Sequence, residues 1–102
     1  MAIVNSTIDV TATDLYTSAA STALVVGYFC NTHTSAVTVQ IHAVPSGDSV
    51  DPQNKLYHDL SIPAGDTFII DNEKIIFETG DKLVAIASLP AVLVATISYV
   101  GI

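Results

Sequence analysis

Three histidines, one cysteine and ten acidic residues are the groups in this chain with the chemistry for nucleophilic, acid–base or metal work. A thiol–imidazole dyad needs hydrogen-bond reach and a third group to orient the base. Cys30 and His33, three residues apart at a strand end, supply neither by spacing alone. Cys30 instead continues an in-pointing set of Leu24, Val26 and Tyr28, so it is expected to pack as a small hydrophobe. His33, His42 and His58 fall in a loop and on two different strands, without the compact spacing of metal sites. His42 is expected to be solvated on the polar face of its strand. His58, between Tyr57 and Asp59, is expected to be half-buried and hydrogen-bonded to a carboxylate.

The carboxylates read the same way. Asp48, Asp51 and Asp59 carry oxygens that calcium accepts, but the Asp-x-Asx-x-Asx-Gly series of a calcium loop is absent, and acidic loop residues serve as solvated turn formers. Asp66 and Asp81 each follow a glycine in a turn, where a short carboxylate accepts local backbone hydrogen bonds. No acid/base pair emerges. Tyr16, Tyr28, Tyr57 and Tyr99, with no tryptophan beside them, are expected in core or rim packing, Tyr99 on the same side as Leu93, Ala95 and Ile97. The expectation is a protein with no catalytic residues, no cofactor and no metal site.

The elements that carry these residues are strands. Turn clusters at Pro45-Ser46-Gly47-Asp48, Pro63-Ala64-Gly65-Asp66 and Thr79-Gly80-Asp81 punctuate the chain. Between them lie apolar runs rich in Val, Ile, Thr, Tyr and Phe: Thr22 to Asn31, Val37 to Val44, Lys55 to Ile62, Thr67 to Ile70, Lys74 to Phe77, Lys82 to Ser88 and Ala91 to Val100. Ile3 to Val10 and Asp14 to Tyr16 are weaker candidates. Connections this short cannot carry parallel crossovers, so the sequence predicts an all-β fold, an antiparallel β-sandwich or jelly roll of seven to nine short strands. A chain of 102 residues fits one domain, residues 1–102, and no linker or repeat divides it.

Half of the residues are apolar and 13% are charged. A chain of this mass is expected to expose roughly 5,500 Å² when folded, which leaves a thin core. Val37, Val39, Ile41 and Ala43 alternate with Thr38, Gln40 and His42, the pattern of a sheet with one wet face. Leu24-Val25-Val26, Leu83-Val84-Ala85-Ile86-Ala87 and Val92-Leu93-Val94-Ala95 do not alternate and put apolar groups on both faces. A two-layer sandwich has one inner face per sheet, so the second apolar face needs a cover: a partner surface, or failing that a barrel-like closure or a loop folded over it. The expected subunit or docking contacts are Val25, Val84, Ile86, Val92 and Val94.

Charge removes several partners. Ten acids against three lysines and no arginine give a net charge of −7, which disfavours a phosphate backbone, guanine readout and anionic membranes. The single cysteine makes no internal disulfide. The first residues lack the basic patch and apolar run of a signal peptide, and the apolar stretch Leu89 to Ala95, interrupted by Pro90, is far short of the ~20 residues that span a bilayer. A soluble protein of the cell interior, binding neither nucleic acid nor membrane, is expected.

Five phrases occur together in order: Leu15-Tyr16-Thr17-Ser18-Ala19; Asn31 with Ser35-Ala36-Val37-Thr38-Val39; Ile62-Pro63-Ala64-Gly65-Asp66-Thr67; Gly80-Asp81-Lys82-Leu83; and Ala95-Thr96-Ile97-Ser98-Tyr99. In that order and spacing the chain resembles small all-β virion structural proteins of tailed bacteriophages. It departs from their pattern at Ser18-Ala19-Ala20-Ser21, where a proline-glycine turn is common, and in its longer Ser46 to Asn54 loop. The resemblance implies a non-enzymatic capsid decoration or cement protein, made in the host cytoplasm and located in the virion. It implies a homo-oligomer, with a trimer favoured, bound to the major capsid protein or other virion proteins. A neck, tail or fibre-attachment subunit is the alternative within the virion. A carbohydrate-binding module, presenting the long loop and nearby tyrosines to a glycan, is the alternative outside it.

Overall fold

Nine strands and one short 3-10 turn make up the computed structural model, which describes residues 2–71 and 75–102. The strands are β1 (Ala2–Ile8), β2 (Thr13–Thr17), β3 (Thr22–Asn31), β4 (Val37–Val44), β5 (Lys55–Ile62), β6 (Thr67–Ile70), β7 (Ile76–Phe77), β8 (Lys82–Ala87) and β9 (Leu93–Gly101). The 3-10 turn, Pro52–Asn54, lies in the β4–β5 connection. Lys74, at the start of one expected strand, falls outside the described residues; among those described, the strand covers Ile76–Phe77.

The turn glycines act where expected. Asp48, Asp66 and Asp81 each donate a backbone N–H to the carbonyl three residues earlier, at 3.0 Å, across Gly47, Gly65 and Gly80 with φ of +84°, +71° and +91°. Only the last is also sterically closed: a Cβ at Gly80 would run into the Ser46 side chain.

All pairings are antiparallel. One sheet runs β1-β9-β3-β6, with β7 also on β3, and the other runs β2-β8-β4-β5. With the two-residue β7 set aside, eight strands remain. They pair first-eighth-third-sixth opposite second-seventh-fourth-fifth, the order of a jelly roll. The fold is therefore an antiparallel β-sandwich of the jelly-roll type, within the expected strand number. Between the sheets lie Ile8, Phe29, Val39, Ile41, Leu83, Leu93, Ala95 and Ile97, each at most 1% exposed. The folded chain exposes 5278 Å², close to the roughly 5,500 Å² expected of a monomeric domain of this mass. Apolar groups left outside therefore do not result from loose folding.

A bulge in β3 corrects one reading of the sequence. The pairing with β9 is Leu24↔Tyr99, then Val26↔Ser98 and Gly27↔Ile97, so Val25 is an extra residue. One inserted residue reverses the alternation beyond it. Gly27, Phe29 and Asn31 consequently face the core, whereas Val26, Tyr28 and Cys30 face outward, the opposite of the expected in-pointing set. Tyr28 is 41% exposed and Cys30 only half-buried. Tyr99 does lie with Leu93, Ala95 and Ile97, its ring centroid 4.3 Å from that of Tyr16.

Candidate interaction face

The two outer faces of the sandwich differ in character. On the β1-β9-β3-β6 sheet the outward positions are Ile3, Asn5 and Thr7 of β1, Val94, Thr96, Ser98 and Val100 of β9, Val26, Tyr28 and Cys30 of β3, and Thr67 and Ile69 of β6. Val25 at the bulge, Ala23, and Ile76 of β7 extend the face. None of these residues is an Asp, Glu, Lys, Arg or His, although the chain carries −7. Ile3 is 68% exposed, Ile76 53% and Ile69 46%. At ~3.3 Å per residue the central strands β3 and β9 run about 30 Å, and four strands spaced ~4.8 Å make the face about 19 Å wide at its broadest. Single exposed hydrophobes are ordinary, whereas here several share one continuous uncharged face with Asn5, Thr7, Thr67, Thr96 and Ser98 between them, which makes it the candidate interaction face.

The outer face of the β2-β8-β4-β5 sheet is polar and partly covered by the chain itself. It carries Asp14, Lys82, Gln40, Lys55 and Asp59, with Lys82 Nζ 3.3 Å from Asp14 Oδ2 and Gln40 Nε2 donating to Asp59 Oδ1 at 3.1 Å. The β4–β5 connection folds onto this face. Asp51 caps its 3-10 turn, accepting from Gln53 N–H at 3.0 Å, and Asn54 ends it with Oδ1 2.7 Å from His42 Nδ1. His42 is 2% exposed as a result, not solvated as its place on a polar strand face suggested. Asn54 Oδ1 also accepts the Asp51 N–H, so His42 Nδ1 is the donor, and among the described residues Nε2 has no partner. Asn54→Ala removes these bonds and the donor to Ser49 C=O, 2.9 Å away. It is expected to cost about 1–2 kcal/mol and to speed proteolysis within residues 45–54, read by mass spectrometry of the fragments.

The five expected contact residues are thus divided among three settings. Val25 and Val94 lie on the uncharged face, exposed and half-buried respectively. Val84 and Ile86 lie on the other sheet. Val84, beside His42 in the ladder, is 1% exposed, so the chain itself seals it and it has no area to offer a partner. Val92 precedes β9 and packs against the core.

The residues with chemical potential do not converge. Cys30 and His33 share no hydrogen bond among the described residues; the His33 N–H goes to Asn31 Oδ1 at 2.8 Å. His58 is exposed, its side chain 68% accessible, not half-buried. Its Nε2 lies 3.4 Å from Asp59 Oδ2 and its Nδ1 2.9 Å from Lys55 Nζ. Asp81 accepts backbone N–H bonds from Glu78 and Ser46, each 2.9 Å, and Asp66 accepts that of Thr67. Among the described residues no three His, Cys, Asp or Glu side chains gather as a metal site. A shallow notch between Val44, Pro45, Ile76 and Phe77 has Asp81 and Lys82 at its rim, both already engaged. Tyr57 packs edge-on against Phe68, with centroids 5.4 Å apart, and does not present an open stacking plane.

Sequence reasoning missed one buried polar centre. Asn31 is fully buried, and its side chain bonds four backbone groups. Its type at the end of an apolar strand was the available signal. No protein-family model matches this chain, and no curated protein or solved structure matches it either.

Proposed function

We propose that the chain is a non-enzymatic structural protein of a tailed-phage virion, a capsid decoration or cement protein that self-associates and docks on the major capsid protein. The observation that carries this reading is the uncharged outer face of β1-β9-β3-β6 on a chain of net charge −7. The exposed hydrophobes on it, Ile3, Val25, Ile69 and Ile76 among them, displace water at about 25 cal/mol per Å² of apolar area buried, so a shell gains adhesion from many small copies without chemistry. The polar opposite face then points to solvent, and the net charge of −7 on the chain as a whole keeps particles apart and repels nucleic acid. The jelly roll is compatible with this role, since capsid domains use it, as lectins also do; the fold alone does not select between them. The resemblance of the turn and strand phrases supplies the viral context and favours a trimer.

The test is negative-stain imaging of particles labelled with an antibody to this chain. Label over the capsid faces is the expected result. Label at a vertex or on the tail would transfer the role to a neck, tail or fibre-attachment subunit, and particles without label would overturn the virion reading.

A further inference from the structure

We infer that β1 is a pairing edge for a second copy of this chain, joined antiparallel to its own equivalent across a two-fold axis. Sheet edges present unpaired N–H and C=O groups, and proteins blunt them with charges, bulges or short strands. Three of the four edges here are blunted. β5 has register shifts on both sides of Ile41, carries Lys55, His58 and Asp59, and bends at Asp59 with φ of +49°. β2 has a bulge between Asp14 and Tyr16 and is five residues long. β6 is four residues long and flanked by Asp66 and Asp71.

Within its span β1 has none of these devices, and Asp9 lies beyond its last residue. Seven residues, Ala2–Ile8, pair with β9 in unbroken register from Ala2↔Tyr99 to Ile8↔Leu93, without a charge, a proline or a bulge. In an antiparallel strand, alternate residues turn their backbone groups away from the existing partner, so those of β1 are available along a seam about 20 Å long. Side chains opposite one another share a face, so residues of like parity must pair. Outward Ile3, Asn5 and Thr7 then meet their own kind, and inward Val4 and Ser6 theirs. Such pairing merges two uncharged faces into one continuous surface of twice the width, and it brings no carboxylate within the seam.

This inference rests on the proposed self-association and names its surface; it predicts a pair where the resemblance favours a trimer. Sedimentation equilibrium at micromolar concentration should return twice the 10.7 kDa chain mass, and Ile3→Lys/Thr7→Lys should return the single-chain mass with an unchanged circular dichroism spectrum. Both replaced residues are exposed. Independently, Asn5→Cys in a Cys30→Ser background should be joined by a short bismaleimide, whereas Ile69→Cys at the far edge should not. A wild-type mass of three chains, or a pair that survives the lysines and leaves Asn5→Cys unlinked, overturns the seam while self-association stands. A wild-type mass of one chain overturns both.

Discussion

Val84→Glu is expected to cost about 3–5 kcal/mol, a large share of the chain's stability, whereas Val94→Glu is expected to leave stability almost unchanged and, on the proposed role, to abolish binding to the particle. From the sequence the two positions look alike, each a valine in a run that is apolar on both faces. In the structure Val84 is 1% exposed, with Asp14 on one side of it in the ladder and His42 on the other. A carboxylate there has two ways to avoid an unpaired buried charge. It can hold its proton at neutral pH, which costs about 1.4 kcal/mol for each unit between its ordinary pKa and the solution pH. It can instead ionise against a protonated His42, and a buried pair is commonly 1–4 kcal/mol poorer than the hydrophobe it replaces. Either way the extra atoms overpack a filled site, for a further ~1–3 kcal/mol, and Asp14 opposes the new charge. A domain of this size has about 5–15 kcal/mol in all.

Val94 lies on the open face between Thr7 and Cys30, where a carboxylate reaches water within its own length. Its effect on stability should stay within about 1 kcal/mol. On the proposed role, however, it would be an unpaired charge in an uncharged contact, so particles assembled with Val94→Glu should lose the antibody label. Urea unfolding followed by circular dichroism separates the two variants. Equal midpoints for the two variants would show that the faces are not distinguished in the way described.

Strand positions were legible because the signals are local. The runs Thr22 to Asn31, Val37 to Val44, Lys55 to Ile62 and Thr67 to Ile70 end at turn residues whose backbone demands leave little choice, and they coincide with β3, β4, β5 and β6. The facing of side chains was legible only in strands without a bulge. In β4 the alternation of Val37, Val39 and Ile41 holds, while in β3 the extra Val25 reverses everything after it, and the one local hint of that bulge was Gly27, an isolated glycine inside an apolar strand run. The surplus of apolar surface was legible as a total but not by location. Which face a ten-residue connection covers depends on a tertiary contact, Asn54 to His42, that composition cannot encode. One sheet was therefore sealed by the chain and the other left open, and residues expected to form one contact surface fell on both.

Asn31→Leu should lower stability by about 3–5 kcal/mol although it exchanges a polar side chain for an apolar one of similar size in a fully buried site. The Asn31 amide nitrogen donates to Ile62 C=O at 2.9 Å, Ser35 C=O at 3.0 Å and Pro63 C=O at 3.2 Å, and its Oδ1 accepts the His33 N–H at 2.8 Å. Its own backbone N–H goes to Asp66 C=O at 2.9 Å. One residue thus ties the end of β3 to the end of β5 and the turn into β6, elements that belong to opposite sheets. Leucine recovers some transfer free energy, about 1–2 kcal/mol at most in a site shaped for an amide, but strands a buried carbonyl and up to three further backbone groups at about 1–3 kcal/mol each. The balance favours a net loss and a fall in melting temperature of about 10–25 °C. Asn31→Asp keeps the shape and distinguishes donor loss from packing: its carboxylate faces the same carbonyls without a proton to give, so at neutral pH it should be at least as damaging as leucine. Amide exchange localised at residues 62–67 is the expected signature. A melting temperature unchanged in both variants would mean that these bonds are replaced by water and that the sheets are joined by the apolar core alone.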